Sequence, residues 1–328
     1  RAVLRGVDGG GYYGGYFNPV DSVSQDVADN WGIHSNEMEM LYISVPDLGG
    51  KLDPQHVVTH EFSHLLYNEV HDFFAADWSY HNEGLAECAV HAVWGANGTA
   101  AGYFTQAPSL AGGESLVVWE YGNYAQYVQA YVFFTYAASR LGGTPGFGAM
   151  FDLTGDPSEL SAFLQAQLGA PITDVQLDMM TAVHKRDATG PFGFEGMLTL
   201  GGSAQATAAS AAPLELLSYE AVFFTGAPSA TVPLGAGPNV RFRGISSGGA
   251  VTDVPPFDGT GVIIAQNTTQ APMSPATESS GSVPMTLTGN RPTPTPAKLA
   301  DRAWMHPPPV KPANRKLLEA WRRKTAGF

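Results

Sequence analysis

The pentapeptide His60-Glu61-Phe62-Ser63-His64 combines two histidines and a glutamate at a spacing typical of a metal-binding helix. Two histidines four residues apart project from the same face of an α-helix and can bind a single metal ion. The glutamate between them lies beside the open coordination position of that ion, where it can act as a general base. The pentapeptide therefore predicts a helix that carries a zinc site, with His60 and His64 as ligands and Glu61 as the base.

A third ligand is predicted in a second helical segment, Asn82-Glu83-Gly84-Leu85-Ala86-Glu87. Eighteen residues separate His64 from Glu83, which is enough for the chain to turn back and bring the second helix to the first. Three protein ligands leave one coordination position for water, whose pKa zinc lowers toward about 7. Glu61 can then take a proton from that water during attack on a peptide carbonyl and pass it to the leaving amine.

Other zinc arrangements fit the spacing less well. A metzincin needs glycine at position 67 and histidine at position 70, where this chain has Tyr67 and Val70. His71 would lie about 10 Å further along a continuing helix than His64, too far to share one tetrahedral ion with it. His56, one turn before the motif, has the same difficulty. A glutamate as third ligand is supported by residues on both sides of the turn, His60 and His64 before it and Glu83 after it.

The helix that carries the motif is bounded by sequence signals. Asp53 before Pro54 marks the start, with the aspartate at the N-cap and the proline at the first helical position. We expect this helix to end near Val70. The residues expected to form its buried face are Val57, Val58, Phe62, Leu65 and Leu66. Gly84, directly after the third ligand, weakens a helix by about 1 kcal/mol, which suggests that two helices approach closely there.

Residues 36–45 alternate in polarity and are rich in strand-forming residues, which predicts a strand that ends before Pro46. Two interpretations of this strand are open. It is either an ordinary core strand or a strand beside the metal helix that receives the substrate backbone by β-addition.

Composition favours an extracellular protein. Only 14% of the 328 residues are charged, and Gly, Ala, Ser, Thr and Pro are abundant. The single cysteine, Cys88, excludes an intramolecular disulfide, and we expect it to be a small buried residue. No apolar run is long enough to predict a transmembrane segment. The chain begins at Arg1 without a leader, so we expect that a signal peptide upstream has been removed.

Charge is divided unevenly along the chain. Residues 1–290 carry eight basic and 28 acidic residues, a net charge of −20, whereas the last 38 residues carry nine basic and two acidic residues, a net charge of +7. Residues 1–290 would repel nucleic acid and an anionic membrane, because these partners are also negatively charged. The charge therefore argues against either as a partner. Two proline-rich stretches predict a stiff linker, and residues 314–324 predict a short basic amphipathic helix. That helix docks on the acidic body, leads into a further domain, or stays solvated.

The H-E-F-S-H motif, the eighteen-residue spacing and the N-E-G-L-A-E segment resemble the gluzincin metallopeptidases, and within them the secreted bacterial hyicolysin-type group. Weaker similarity lies upstream in residues 15–17 and 35–42, and downstream in residues 127–136 with Arg140 and Gly142. The resemblance covers roughly residues 10–188. It implies a gluzincin-like catalytic domain, with a small mixed sheet beside the zinc helix and then a helical lobe.

The resemblance also implies roles for individual residues. Zinc would be held by His60, His64 and Glu83, with Glu61 as the base. Glu87 would orient a ligand histidine. In several gluzincins a tyrosine donates a hydrogen bond to the transition state, and we assign that role to Tyr127. The other tyrosines that this segment offers are Tyr121, Tyr124, Tyr131 and Tyr136.

Three regions and an α+β fold class are predicted. Residues 1–188 form the zinc metallopeptidase domain and end in a helical stretch from about residue 158 to 184. Residues 189–290 contain short strand-like runs between Gly, Pro and Ser turns, which favours a small β-sandwich as an accessory domain. Residues 291–328 form the proline-rich linker and the basic helix.

We therefore expect a secreted zinc endopeptidase that hydrolyses proteins or peptides. Two alternatives belong to other classes. A non-catalytic zinc-containing adhesin would use its β-domain for binding. A serine esterase would use Ser246, but the turn residues that follow Ser246 are not the helix that a nucleophile elbow requires. His184 is either a further donor to the oxyanion or an exposed histidine.

Overall fold

The computed structural model describes residues 3–7, 15–30, 32–44, 53–71, 78–96, 114–119, 124–200, 213–225, 239–255, 257, 261–269 and 283–286. These residues form seven α-helices and ten short strands, and the strands lie in three separate sheets. The predicted α+β fold class is confirmed. The described residues up to 71 belong to one compact unit, and those from 78 to 286 belong to another.

The first unit combines a small mixed sheet with the helix that carries the motif. Its strands are β1 (Val3–Val7), β2 (Gly15–Phe17) and β3 (Met40–Ser44), and its helices are α1 (Gln25–Asp29) and α2 (Pro54–Val70). Strand β3 lies in the middle, parallel to β1 and antiparallel to β2.

A buried carboxylate fixes the position of β3. Asp21 is 1% exposed and accepts hydrogen bonds from the hydroxyl of Tyr42 at 2.6 Å and from the Asn36 Nδ2 at 2.7 Å. The Asn18 Nδ2 donates to the same carboxylate at 3.2 Å. The ring of Tyr16 on β2 stacks on the ring of Tyr42 at a centroid distance of 4.4 Å. Because a buried charge is costly without such donors, the cluster holds β2 and β3 in one register.

Helix α2 has the predicted bounds, and its cap is the predicted one. The Asp53 side chain accepts a hydrogen bond from the Gln55 backbone N–H at 2.9 Å, and Pro54 occupies the first turn. The helix ends where the N–H of His71 donates to the Tyr67 carbonyl at 2.9 Å.

The predicted buried face of α2 is correct in part. Val57 and Leu65 are buried, but Phe62 is 42% exposed and Leu66 is 43% exposed. The prediction that these last two residues face the core is wrong, because the polar residues of the metal motif occupy the inward face. The helix turns His60 and Glu61 inward and part of its apolar surface outward.

The described residues of the second unit include five helices. They are α3 (Ser79–Trp94), α4 (Tyr124–Arg140), α5 (Pro145–Phe151), α6 (Pro157–Leu168) and α7 (Ile172–Lys185). The helical stretch predicted from about residue 158 to 184 is helical in the structure, and it consists of two helices, α6 and α7. Gly169 closes α6 in the left-handed conformation with φ 73°, and Pro171 precedes α7.

Helices α3 and α4 pack closely, as Gly84 predicts. A Cβ atom at Gly84 would lie 2.7 Å from the Phe134 ring and 2.9 Å from the Ala130 Cβ. The predicted burial of Cys88 is confirmed, since it is fully buried one turn further along α3. Its burial raises the pKa of the thiol well above the usual value.

The second unit also contains two antiparallel sheets, and all of their strands except β4 follow α7 in the chain. Strands β4 (Glu114–Ser115), β6 (Glu220–Thr225), β7 (Val240–Ile245), β8 (Val251–Thr252) and β9 (Val262–Asn267) form a five-stranded sheet in the order β4-β6-β9-β7-β8. Strands β5 (Pro213–Leu216) and β10 (Val283–Thr286) form a separate pair.

Buried hydrogen bonds join α7 to the five-stranded sheet. The Gln266 amide on β9 donates to the Thr173 carbonyl at 2.9 Å and to the Gln176 side chain at 2.7 Å. Gln176 in turn donates to the Tyr219 carbonyl at 2.6 Å. These bonds cross the predicted boundary between residues 188 and 189 and make α7 a layer on this sheet. The three-domain division and the two-sheet sandwich stay predictions, and residues 291–328 lie outside the described residues.

None of the helices described in this chain is long and apolar enough to cross a membrane.

Arg243 gives a test of this helix-to-sheet packing. Its side chain is 12% exposed and is paired with Asp178 of α7 and with Asp253, which it reaches at 2.6 Å. The Arg243→Leu variant should unfold with a free energy lower by about 1–3 kcal/mol, with the lower end favoured because both partners are partly exposed. The check is denaturant unfolding at neutral pH. Asp253→Asn is the control and should cost less, because the side chain of Asp253 is 57% exposed.

The same pair predicts a pH dependence. The hydrogen bond with Arg243 lowers the pKa of Asp253 below its usual value. The contribution of ionised Asp253 to the free energy of unfolding is therefore present above the unfolded-state pKa of about 3.9. It is lost as pH falls through the folded-state pKa. The stability difference between wild type and Arg243→Leu should shrink below about pH 4. A difference that grows on acidification would contradict the assigned pair.

Candidate metal centre

The two histidines of the motif lie one turn apart on α2. His60 is 3% exposed, and His64 is half-buried. Their Nε2 atoms are 3.1 Å apart. Two nitrogens that each lie about 2.05 Å from one zinc ion would be about 3.1–3.4 Å apart at a near-tetrahedral angle. The spacing therefore fits two imidazoles that share one ion.

The third predicted ligand joins these histidines. Glu83 lies in the second turn of α3 and is 8% exposed. One ligand atom from each of His60, His64 and Glu83 can be chosen so that all three lie within 4.8 Å of one another. Among the described residues, these are the histidine, cysteine, aspartate or glutamate side chains that come this close together in a group of three. It can hold a metal ion.

The donor set limits which ions suit this group. Two imidazole nitrogens and one carboxylate oxygen are ligands of Zn²⁺ in catalytic sites, and they also suit neighbouring divalent transition metals. The 3.1 Å distance between the two Nε2 atoms would also suit a hydrogen bond between one protonated and one unprotonated imidazole. The carboxylate of Glu83 close to both rings favours a shared cation, since it supplies negative charge to the same point.

The predicted base lies on the inward face of α2. Glu61 is 4% exposed. Strand β2 passes directly over it, because a Cβ atom at Gly15 would lie 3.1 Å from the Glu61 Cγ and 2.9 Å from a methyl of Val57. The same Cβ would lie 2.8 Å from the Tyr42 carbonyl oxygen. Only a glycine at position 15 allows the strand to approach the base so closely.

Gly15 is a residue that sequence reasoning did not single out. In the sequence it belongs to residues 15–17, a segment with weak similarity to the gluzincins. A glycine inside a strand marks a place where another part of the chain approaches closely, and that signal could have found it.

The proposal that β3 receives the substrate backbone is wrong. Strand β1 pairs with one edge of β3 and β2 pairs with the other, so β3 is the central core strand. Of the two outer strands, β2 lies against α2 next to Glu61. The alternation of residues 36–45 predicts a strand but not its neighbours, because pairing depends on distant parts of the chain.

Glu87 and Tyr127 are both buried in the second unit. Glu87 lies one turn after Glu83 on α3 and is 1% exposed. Tyr127 lies on α4, is fully buried, and packs its ring against Trp119 at a centroid distance of 4.8 Å. Both assignments stay predictions.

Two of the alternative tyrosines have protein partners. The Tyr131 hydroxyl lies 2.8 Å from the Nδ1 of His91, and the Tyr136 hydroxyl donates to the Pro191 carbonyl at 2.5 Å. Burial raises the pKa of Tyr136 and lowers the pKa of His91. Tyr121 and the side chain of Tyr124 lie outside the described residues.

His184 and Ser246 lie on the second unit. His184 is in the last turn of α7, half-buried against Phe223, and its burial together with the charges of Arg186 and Lys185 lowers its pKa. Ser246 lies in the turn between β7 and β8, where its Oγ accepts a hydrogen bond from the Ala250 N–H at 3.0 Å. That turn is a β-hairpin and not the strand-to-helix elbow of a serine hydrolase.

His71 and His56 are not part of the metal-binding group. His71 caps the end of α2 and packs its ring on Tyr67 at a centroid distance of 4.0 Å. His56 is 41% exposed and lies 3.8 Å from Asp53.

No protein-family model matches this chain, and a search of the curated proteins also finds no match.

The ligand assignment predicts the effect of removing Glu83. In Glu83→Ala two ligands remain, and we expect stoichiometric zinc to be lost after dialysis, because two ligands rarely hold the ion. Metal content per protein by elemental analysis is the measurement. Glu87→Gln is the matched variant on the same face of α3 and should keep the metal, with about ten- to a hundredfold lower affinity in a chelator competition. Full occupancy in Glu83→Ala would show that Glu83 is not a ligand.

The close approach of β2 predicts the effect of adding one methyl group. Gly15→Ala should lower the unfolding free energy by about 1–3 kcal/mol, because the new Cβ meets backbone and packed side chains on three sides. Gly148→Ala is the control, since its Cβ would meet nothing within 4 Å and alanine favours the helix α5. Denaturant unfolding of both variants checks this. Equal stability of the two variants would contradict the close approach.

Proposed function

We propose that this protein is a secreted zinc-dependent endopeptidase with a gluzincin-like catalytic domain. The observation that carries the proposal is the meeting of His60, His64 and Glu83 in one group able to hold a metal ion. The buried Glu61 follows the first ligand directly in sequence. Helix α2 thus supplies two ligands and a base, and this combination supports hydrolysis rather than metal storage.

When bound, Zn²⁺ would supply a Lewis acid that polarises a carbonyl and makes water more acidic. Glu61 would accept a proton from the attacking water and then pass it to the leaving amine. Its burial beneath β2 supports this role, because a carboxylate held in place and partly shielded from solvent transfers a proton along one fixed direction.

Two further residues would assist this chemistry. Glu87, one turn after Glu83, would accept a hydrogen bond from a ligand histidine and so fix the orientation of that ring. Tyr127 would donate a hydrogen bond to the oxygen on which negative charge develops. The choice of Tyr127 rests on its place in residues 127–136, the segment that resembles the gluzincins.

A protein or peptide substrate would bind as an extended strand along β2. Strand β2 is an outer strand of its described sheet, and its Gly15 lies against Glu61. Backbone hydrogen bonds to such a strand hold a peptide regardless of its sequence, so they suit a peptidase that acts on many substrates.

We also place the protein outside the cell. The proposal rests on the low proportion of charged residues, 14% of the chain, and on its single cysteine, which is buried and has a raised thiol pKa. Neither feature requires a reducing compartment.

The decisive experiment separates the base from the ligands. The purified chain should hydrolyse casein, lose that activity in a chelator, and regain it when zinc is added. Glu61→Gln keeps the volume of the side chain and removes its basicity, so zinc content should stay near wild type while hydrolysis falls at least about a hundredfold. Glu69→Gln, an exposed glutamate on the same helix, is the control and should keep full activity.

Other outcomes point to the other classes. Stoichiometric zinc without hydrolysis of any protein would favour the non-catalytic adhesin. Activity that survives the chelator and is lost to an active-site serine reagent would favour the esterase. Glu61→Gln with most of its chelator-sensitive activity intact would show that the mechanism is wrong even with the zinc site right.

A further inference from the structure

Helix α2 exposes an apolar stripe on the face opposite its metal ligands. The stripe consists of Val58, Phe62, Leu66 and Val70, which recur at every fourth position of the helix. Val58 is half-buried, and the other three are 42%, 43% and 56% exposed. These three are among only eight large apolar side chains that are exposed in the described residues, and they are contiguous. A contiguous patch of this kind marks a surface that another chain segment covers.

A segment of the same chain has the matching pattern. Residues 314–324 lie outside the described residues, and their sequence predicts a short amphipathic helix. Leu317, Leu318 and Trp321 recur at spacings that place them on one face of such a helix. An apolar face of this width fits an apolar stripe on one partner helix.

The charges of the two surfaces are complementary. Residues 1–74 carry eleven acidic and three basic residues, a net charge of −8. Residues 314–324 carry five basic residues and one acidic residue, a net charge of +4. Glu69, which is exposed, lies beside Leu66 and Val70 on the same face of α2. Opposite net charge therefore attracts the segment to the unit that carries the stripe.

The tether is long enough to allow this contact. Residues 287–313 separate the last described strand from the segment and contain the proline-rich stretches. Twenty-seven residues in an extended polyproline conformation reach about 80 Å. A compact unit of about 100 residues has a radius of gyration of about 13 Å, so this length exceeds the dimensions of the unit that carries the stripe.

We propose that the C-terminal segment 314–324 docks its Leu317 and Trp321 face on the stripe formed by Val58, Phe62, Leu66 and Val70. The segment would cover the outer face of the helix whose inner face holds the metal ligands. This places a regulatory contact on the helix itself. The proposal does not depend on peptidase activity.

Disulfide trapping in the full-length chain tests the docking. Leu66→Cys on the stripe is combined with Ala320→Cys beside Trp321, and the rate of intramolecular disulfide formation is measured under mild oxidation at low protein concentration. The native Cys88 does not compete, because it is fully buried and its thiol pKa is raised. The matched control pairs Ala320→Cys with Val254→Cys, which is 71% exposed on the other unit.

We expect the stripe pair to close at least about tenfold faster than the control pair, since docking raises the local concentration of the two thiols. Adding Leu317→Ser and Trp321→Ser should remove the difference. Raising the salt concentration from about 0.05 M to about 0.5 M should reduce it, since part of the attraction is electrostatic. Circular dichroism of each variant shows that it is folded.

Equal rates for the two pairs would overturn the proposal. A disulfide that forms between two chains faster than within one would also overturn it and would assign the stripe to a second copy of the protein. A separate measurement uses Leu66→Cys alone. Its reaction with a thiol label should be at least about threefold slower when the C-terminal segment is native than when it carries Trp321→Ser, and equal labelling rates would contradict docking.

Discussion

Helices α2 and α3 bury an unusual number of ionisable side chains, and the fold has to offset their charge. Glu61, Glu83 and Glu87 are 8% exposed or less, and so is His60. Three carboxylates removed from water are tolerated only where cations or hydrogen bonds offset their charge. A divalent ion held by His60, His64 and Glu83 would supply two positive charges at that point. Metal binding would then stabilise the fold as well as the reaction, because the unfolded chain has no preformed site.

Burial of these polar groups also accounts for where helix prediction succeeds and fails. The start of α2 follows from Asp53 and Pro54, since capping is an interaction between neighbouring residues and can be predicted from the sequence. Its inward face does not follow from hydropathy, because periodicity assigns Phe62 and Leu66 to the core. The side chains of His60, Glu61 and Ser63 are buried on that face instead. Close packing at Gly84 could be predicted, because a glycine weakens a helix and is favoured where a neighbouring helix leaves no room for a side chain.

Features that depend on distant parts of the chain were not predictable. The central position of β3 arises because β1 and β2 both pair with it, and nothing in residues 36–45 encodes those partners. On the sheet, Arg241 and Arg243 face Asp174 and Asp178, which lie one turn apart on α7 and more than sixty residues away in sequence. Alternate residues of a strand then meet every fourth residue of a helix. The two-residue repeat of the strand and the turn of the helix correspond here, and this correspondence exists only where the sheet and the helix lie together in the fold.

The pairing of β4 with β6 has a consequence for folding kinetics. Glu114 and Ser115 pair with Ala221 and Glu220, so the edge of the five-stranded sheet joins residues more than a hundred positions apart. The Asp21 cluster and the β2–β3 pair, in contrast, join residues no more than 28 positions apart. Closing a loop costs more entropy as it lengthens, and non-local pairings form slowly. The β2–β3 pair can therefore form while the chain is still largely extended, whereas β4 finds its partner only after the helices between them have collapsed.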